Sequence, residues 1–185
     1  MRCAIAFALL LMSVTLAGCT AGPDGPAKPQ KVNIASLPAG ASAAAEGESP
    51  LSRATLQAVN AFRASKGVGA LTADASLQRA AAVHAADMSM RGFFGHHNPD
   101  GQGPRERVLA ANPEFTGAVA ENLQMVEGPT YAAMSDAELA ETLVRKWAQS
   151  PMHRKNMQSP DMTRSGIGIA RSGQQIIAVQ VFSGP

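Results

Sequence analysis

Three short runs hold most of the side chains able to do chemistry: FGHHNPDG with His96, AENL with Glu121 and WAQSPMHRKN with His153. Each sets an ionisable group beside glycine, proline or an expected helix end, where a scaffold can aim a side chain into a shared cleft. Two neutral imidazoles and one carboxylate suit a zinc ion with one position left for water, and such a water becomes a nucleophile near neutral pH. Without a metal the same groups form a hydrogen-bonded network in which Glu121 orients one imidazole and holds its proton. His96, Glu121 and His153 are therefore the candidate metal ligands and catalytic groups. Asn122 and Ser150 are added as candidate cleft and ligand-binding residues.

The other polar residues carry plainer expectations. His84 lies on an apolar helix face and is expected to pack there while bonding a loop carbonyl. His97 follows His96 directly and should point to the rim or solvent. Arg105 and Arg107 could line the cleft but are expected more as solvated loop charges, and Trp147 has the helical phase of a core residue. Ser150 precedes His153 by three residues, but Ser150-Pro151 is accounted for as an N-cap and N1 pair. Neither a G-x-S-x-G elbow nor an H-E-x-x-H helix is present, so serine-hydrolase and zincin mechanisms have no motif to rest on.

These residues need a scaffold, and the patterning supplies one after residue 50. Leu51–Lys66 reads as a helix ending at Gly67. Asp74–Arg91 reads as a second, capped by Asp74 and stopped by Gly92, with Leu77, Ala81, His84 and Met88 on one face. Pro104–Ala111 begins at proline. Ser135 and Glu138 form an S-x-x-E box that opens a helix to Trp147, and a short helix follows from Pro151 to about Met157. Ala118–Val126 is a candidate strand. Gly166–Arg171 and Gln175–Phe182 form a candidate hairpin around Ser172-Gly173-Gln174. In the last strand Ile177, Val179 and Val181 alternate with Ile176, Ala178 and Phe182, so both faces of the sheet should be covered. The expected class is α+β, with a small antiparallel sheet between helical layers.

The first 50 residues read differently. Arg2 and the apolar run Ala4–Leu16 have the make-up of a signal peptide over 1–18, too short to span a membrane. Leu16-Ala17-Gly18-Cys19 resembles the lipobox of bacterial lipoproteins, in which the cysteine becomes the acylated first residue. The only other cysteine is Cys3, so no thiol remains for a disulfide or thiolate site. Residues 19–50, rich in Ala, Gly and Pro, read as a flexible tether. Residues 51–185 then form one domain held by its core alone. The net charge of +2, without a Lys/Arg cluster, argues against nucleic acid as a partner.

VNAFRASKGVGALTADASLQRAAAVHAADM, GFFGHHNPDG, AENL, WAQSPMHRKNM and SGIGIA, in that order, resemble the motifs of the CAP superfamily, which comprises cysteine-rich secretory proteins, antigen 5 and pathogenesis-related 1 proteins. The resemblance spans residues 51–185 and is closest to bacterial SCP-like members. It implies a three-layer α–β–α sandwich with a central antiparallel sheet and a cleft. Many members place two histidines and two glutamates there. By motif His96, Glu121 and His153 match three of these, while Ser150 stands at the position of the second glutamate. The resemblance implies varied binding and fixes no ligand.

The resulting expectation is an extracytoplasmic monomer, anchored in the membrane through acylated Cys19. It would bind a divalent metal such as zinc, a small ligand, a lipid, a peptide or a cell-wall component, with binding favoured over catalysis and enzymatic activity left open. A metal-dependent hydrolase of envelope peptides or esters, and an envelope interaction module with a structural His/Glu cluster, are the alternatives. In a Gram-negative host, the resemblance to lipoproteins with a residue other than aspartate after the cysteine, here Thr20, implies the outer membrane or periplasmic face.

Overall fold

The structure is a computed structural model and describes residues 49–185. The expected signal peptide, Cys19 and most of the tether lie outside the described residues. Among the described residues, no helix is long and apolar enough to cross a membrane.

The chain order is α1 (Pro50–Ala64), β1 (Thr72–Ala73), α2 (Ala75–Arg91), α3 (Pro104–Ala111), β2 (Val119–Glu127), α4 (Pro129–Ala132), α5 (Asp136–Gln149), α6 (Pro151–Gln158), β3 (Arg164–Ser172) and β4 (Gln175–Ser183). The four strands lie in the order β1-β3-β4-β2. β4 pairs antiparallel with β2 and β3, whereas the two-residue β1 runs parallel to β3. The sheet is thus mixed at one edge rather than wholly antiparallel. β1 and α4 were not expected, since two and four residues are too few to show a period.

Local chemistry sets the boundaries. Asp74 Oδ1 accepts from the backbone N–H groups of Ser76 and Leu77, and Gly92 ends α2 in the left-handed region at φ 66°. Ser135 and Glu138 form the expected capping box at the start of α5. These contacts satisfy donors that a helix start leaves unpaired.

The alternation in β4 separates two cores. Ile176, Ala178 and Phe182 join α1 and α5 residues such as Val59, Leu139, Leu143 and Trp147 on one face. Ile177, Val179 and Val181 join Leu77, Ala81, Met88 and Val108 of α2 and α3 on the other. Trp147 is fully buried in the first core, as its phase required. The result is the expected three-layer α–β–α sandwich.

Two devices bring the layers close. A Cβ built on Gly166 would lie 2.0 Å from the Gln78 backbone nitrogen, and one on Gly168 would lie 2.1 Å from the Ala81 carbonyl carbon. The SGIGIA run therefore lets α2 rest directly on β3. Gln78 completes the fit. Its Nε2 donates to Ile167 O at 2.6 Å and its Oε1 accepts from Ile167 N at 2.9 Å, so it pairs the backbone of β3 beyond the end of β1. Arg63, buried at the end of α1, donates to the carbonyls of Gly69, Met157, Ser159 and Met162. It ties α1 to the segment between α6 and β3.

Candidate functional site

β2 is an edge strand, and its two-residue period points successive side chains to opposite faces. Glu121 shares its face with Val119 and Leu123, toward α3 and the 92–103 loop. Asn122 faces the other way, toward α6. The AEN run therefore reaches both helical layers across one edge, and the two histidines arrive from opposite layers.

On the first side Glu121 is buried and both carboxylate oxygens are engaged. His96 Nδ1–H donates to Oε1 at 2.8 Å, and Arg107 Nη2 donates to Oε2 at 2.7 Å. An ionised carboxylate only accepts, so the His96 proton sits on Nδ1 and a neutral ring offers its Nε2 lone pair. The His96 side chain is 48% exposed while that of Glu121 is 1% exposed. The carboxylate thus orients an imidazole that solvent or a ligand can reach.

Arg107 holds this side together. Its Nη1 donates to His96 O at 3.0 Å and Gln102 O at 2.7 Å, so one guanidinium fixes both the loop and the carboxylate. The loop has further ties. Arg91 forms a two-point ion pair with Asp87 in its own helix and reaches Asp100 at 2.9 Å. Asn98 Oδ1 accepts from the backbone of Asp100 and Gln102. His84, fully buried, donates from Nε2 to Gly95 O at 2.8 Å, as expected from the sequence.

On the second side Asn122 Nδ2 donates to His153 O at 3.1 Å, and Asn122 Oδ1 accepts from Asn156 Nδ2 at 2.9 Å. Asn156 also reaches the backbone oxygen of Glu121 at 3.3 Å, covering a sheet edge that would otherwise be open. The His153 ring is partly buried, and its Nδ1 is buried without a hydrogen-bond partner. Burial first, and the neighbouring His96 charge second, hold its pKa below the usual histidine value.

Several expectations change here. Asn122, expected as a cleft residue that either bonds backbone or satisfies the strand end, is fully buried and bonds the His153 backbone and the Asn156 side chain of α6. Ser150 occupies the expected N-cap of α6 with Pro151 behind it, but its side chain makes no capping hydrogen bond. His97 is exposed, as expected. Arg105 donates to Gly117 O at 2.8 Å. Arg107 is buried rather than solvated, and its pairing with Glu121 was not foreseen. A carboxylate on a strand between apolar neighbours needs a cation, and the nearby P-R-E-R helix was the available signal.

The three candidate ligands do not present three donors to one point. Among the described residues, no group of three or more His, Cys, Asp or Glu side chains is placed to hold a metal ion. Glu121 is committed to His96 and Arg107. The two imidazoles differ in their surroundings: His96 is backed by a carboxylate, and His153 has a buried, unpartnered nitrogen. Backing of that kind commonly orients metal-binding histidines.

The His84 linkage gives a pH prediction. Burial, aided by the Arg107 charge, pushes its pKa from 6.5 down to about 4 against the opposing pull of Glu121, Gly95 and Asp87. The unfolded chain therefore binds more protons between these values. This contribution to stability is complete above about pH 6.5, is lost as pH falls toward 4, and amounts to roughly 3 kcal/mol. Urea denaturation at pH 7 and pH 4.5 should show the loss, and His84→Gln should flatten it. An unchanged pH slope in that variant would contradict the assignment.

The fold agrees with the comparisons. A family model, CAP (Cysteine-rich secretory protein family), matches residues 56–182. The chain belongs to the CAP family. It is 27% identical over 129 residues to protein YkwD of Bacillus subtilis (strain 168), a match covering 70% of this chain and 45% of that protein. The chain thus spans about 45% of the length of that relative. An outer surface protein of Borrelia burgdorferi has a similar structure, with a TM-score of 0.58 at 18% identity over 70% of this chain and 88% of that one. An extracellular protein of Bacillus anthracis containing an SCP domain gives 0.57 at 21% identity over 73% and 40%. At these identities the likeness shows the CAP fold.

Proposed function

We propose that this chain is a lipid-anchored, extracytoplasmic CAP protein that binds a ligand or divalent metal at the His96–His153 cleft and does not turn it over. The observation that carries the reading is the Arg107–Glu121–His96 chain. Its geometry prepares one imidazole for contact, while Arg107 keeps the carboxylate occupied. A hydrolytic site at these residues would want a carboxylate free to take a proton, and Ser150 stands where the family resemblance puts the second one.

A zinc-class ion would be held by His96 and His153, with Glu121 behind His96, and would supply a Lewis-acidic position for a carbonyl, carboxylate or water. His96 then serves as the exposed donor and Glu121 as the residue that sets its tautomer. Arg107 keeps the loop and carboxylate in register. His153 brings the donor from the opposite layer. Placement outside the cytoplasm is supported by the outer-surface and extracellular neighbours, and anchoring by the Leu16-Ala17-Gly18-Cys19 run.

Zinc titration of the full chain tests the reading. His96→Ala and His153→Ala should each weaken binding at least tenfold, and Glu121→Gln by about 10- to 100-fold through lost orientation. Equal affinity in both histidine variants would end the metal proposal. In the same preparations Cys19→Ala should move the protein from the membrane fraction to the soluble fraction; retention at the membrane would end the anchoring proposal.

A further inference from the structure

A concavity lies between α4 and α5, and neither His96, Glu121 nor His153 lines it. It encloses about 380 Å³ and is lined by Thr130, Tyr131, Thr142, Arg145, Lys146 and Gln149, among others. No carboxylate lines it. We propose that this basic pocket binds a sugar-sized organic anion bearing a phosphate or carboxylate group.

The charge arrangement carries the inference. Arg145 and Lys146 are consecutive cations on one helix and line the same hollow. Among the described residues neither takes part in an ion pair, although arginines elsewhere on the surface find partners, as Arg164 does with Asp74 and Arg171 with Asp136. Arg145 Nη2 donates to Thr142 Oγ1 at 2.8 Å, a contact that steadies the guanidinium without neutralising it. The Lys146 ammonium lies 5.5 Å from the centre of the Tyr131 ring, which again places the cation and leaves its charge in place. Two like charges at one concavity repel, and an anion between them relieves that repulsion while gaining charge-assisted hydrogen bonds.

Cations in the last turns of a helix also complement its dipole. That accounts for basic residues at the end of α5. It does not account for both of them lining one hollow that holds no acid and is ringed by hydroxyl, phenol and amide groups. Those neutral groups match sugar hydroxyls, and the volume falls in the range of small-molecule pockets. The pocket supplies donors for one anionic group and room for the ring that carries it.

The test is a calorimetric or NMR titration of the full chain with glucose 6-phosphate, glucuronate, inorganic phosphate and glucose. Saturable binding of either sugar anion below about 1 mM is expected, weakening as salt is raised. Arg145→Gln and Lys146→Gln should each weaken it at least fivefold with the melting temperature unchanged. His96→Ala should leave it intact, which separates this pocket from the histidine cleft. Phosphatidylglycerol vesicles form a separate arm: binding lost in the same two variants supports the pocket with a lipid headgroup as the anion source. Glucose binding as tightly as glucose 6-phosphate, or binding unaffected by both variants, or no saturation by any anion, overturns the proposal.

Discussion

Gly168→Ala is expected to cost about 3 kcal/mol or more, the upper range for forcing atoms into a packed core. The new methyl would lie 2.1 Å from the Ala81 carbonyl carbon, 2.2 Å from its oxygen and 2.3 Å from the Ala82 nitrogen. All three are backbone atoms in the middle of α2, so no rotamer change relieves the clash. The helix must lift from β3, opening the core that joins Leu77, Ala81 and Met88 to the sheet. For a domain of this size that corresponds to a melting temperature lower by about 10 °C. Gly69→Ala is the control: a Cβ there has nothing within 4 Å, and its φ is not positive. Thermal melts of the two variants decide the matter. A Gly168→Ala protein melting within a degree or two of the parent would show that α2 does not rest on β3 as described.

Arg107→Met is expected to be the other large loss, about 3–5 kcal/mol, because it leaves a buried carboxylate without its cation. The Glu121 side chain is 1% exposed and that of Arg107 is 4% exposed, so water cannot substitute. The variant also removes the donors to His96 O and Gln102 O, and the 92–103 loop should loosen with it. Arg107→Lys should rescue little, since one ammonium cannot span three acceptors held by a planar fork. Removing the charge at both ends, in Arg107→Met with Glu121→Leu, should restore part of the stability. Urea denaturation measures the loss, and the cycle isolates the pair. The His96 Nδ1–H resonance reports whether the ring keeps its place. A single Arg107→Met variant within about 1 kcal/mol of the parent would remove Arg107 from the centre of the site.

The two variants fail for different reasons, and the difference bears on the histidine cleft. Gly168 governs whether the layers close. Arg107 governs whether closed layers present His96 correctly. Metal or ligand affinity should fall in the Arg107 variant even under conditions where it remains folded.

Much of this was legible in the chain, because the signals are local. A cap at Asp74, a left-handed stop at Gly92, the Ser135–Glu138 box and proline at 104 and 151 act within one helical turn, so those helices begin and end where their residues say. The alternation in β4 announced two cores, and the motif order announced the family. His84 and Trp147 were readable as buried from helical phase alone. What escaped was whatever depends on partners distant along the chain. Arg107 meets Glu121 across 14 residues and Asn156 meets Asn122 across 34, and no period records such a meeting. The same is true of Arg63, whose four carbonyl partners extend to Met162.

By itself, the order of residues determined the longer helices, the hairpin, the two-faced sheet and the types of side chain offered at the candidate site. The tertiary structure decided how those groups are used. β2 lies at the edge of the sheet, so its successive side chains Glu121 and Asn122 serve opposite layers. One carboxylate buried beside one guanidinium then becomes a support for His96 rather than a free ligand. Side-chain type is written residue by residue, whereas partnership follows from which elements pack together, and only the packed layers settle that.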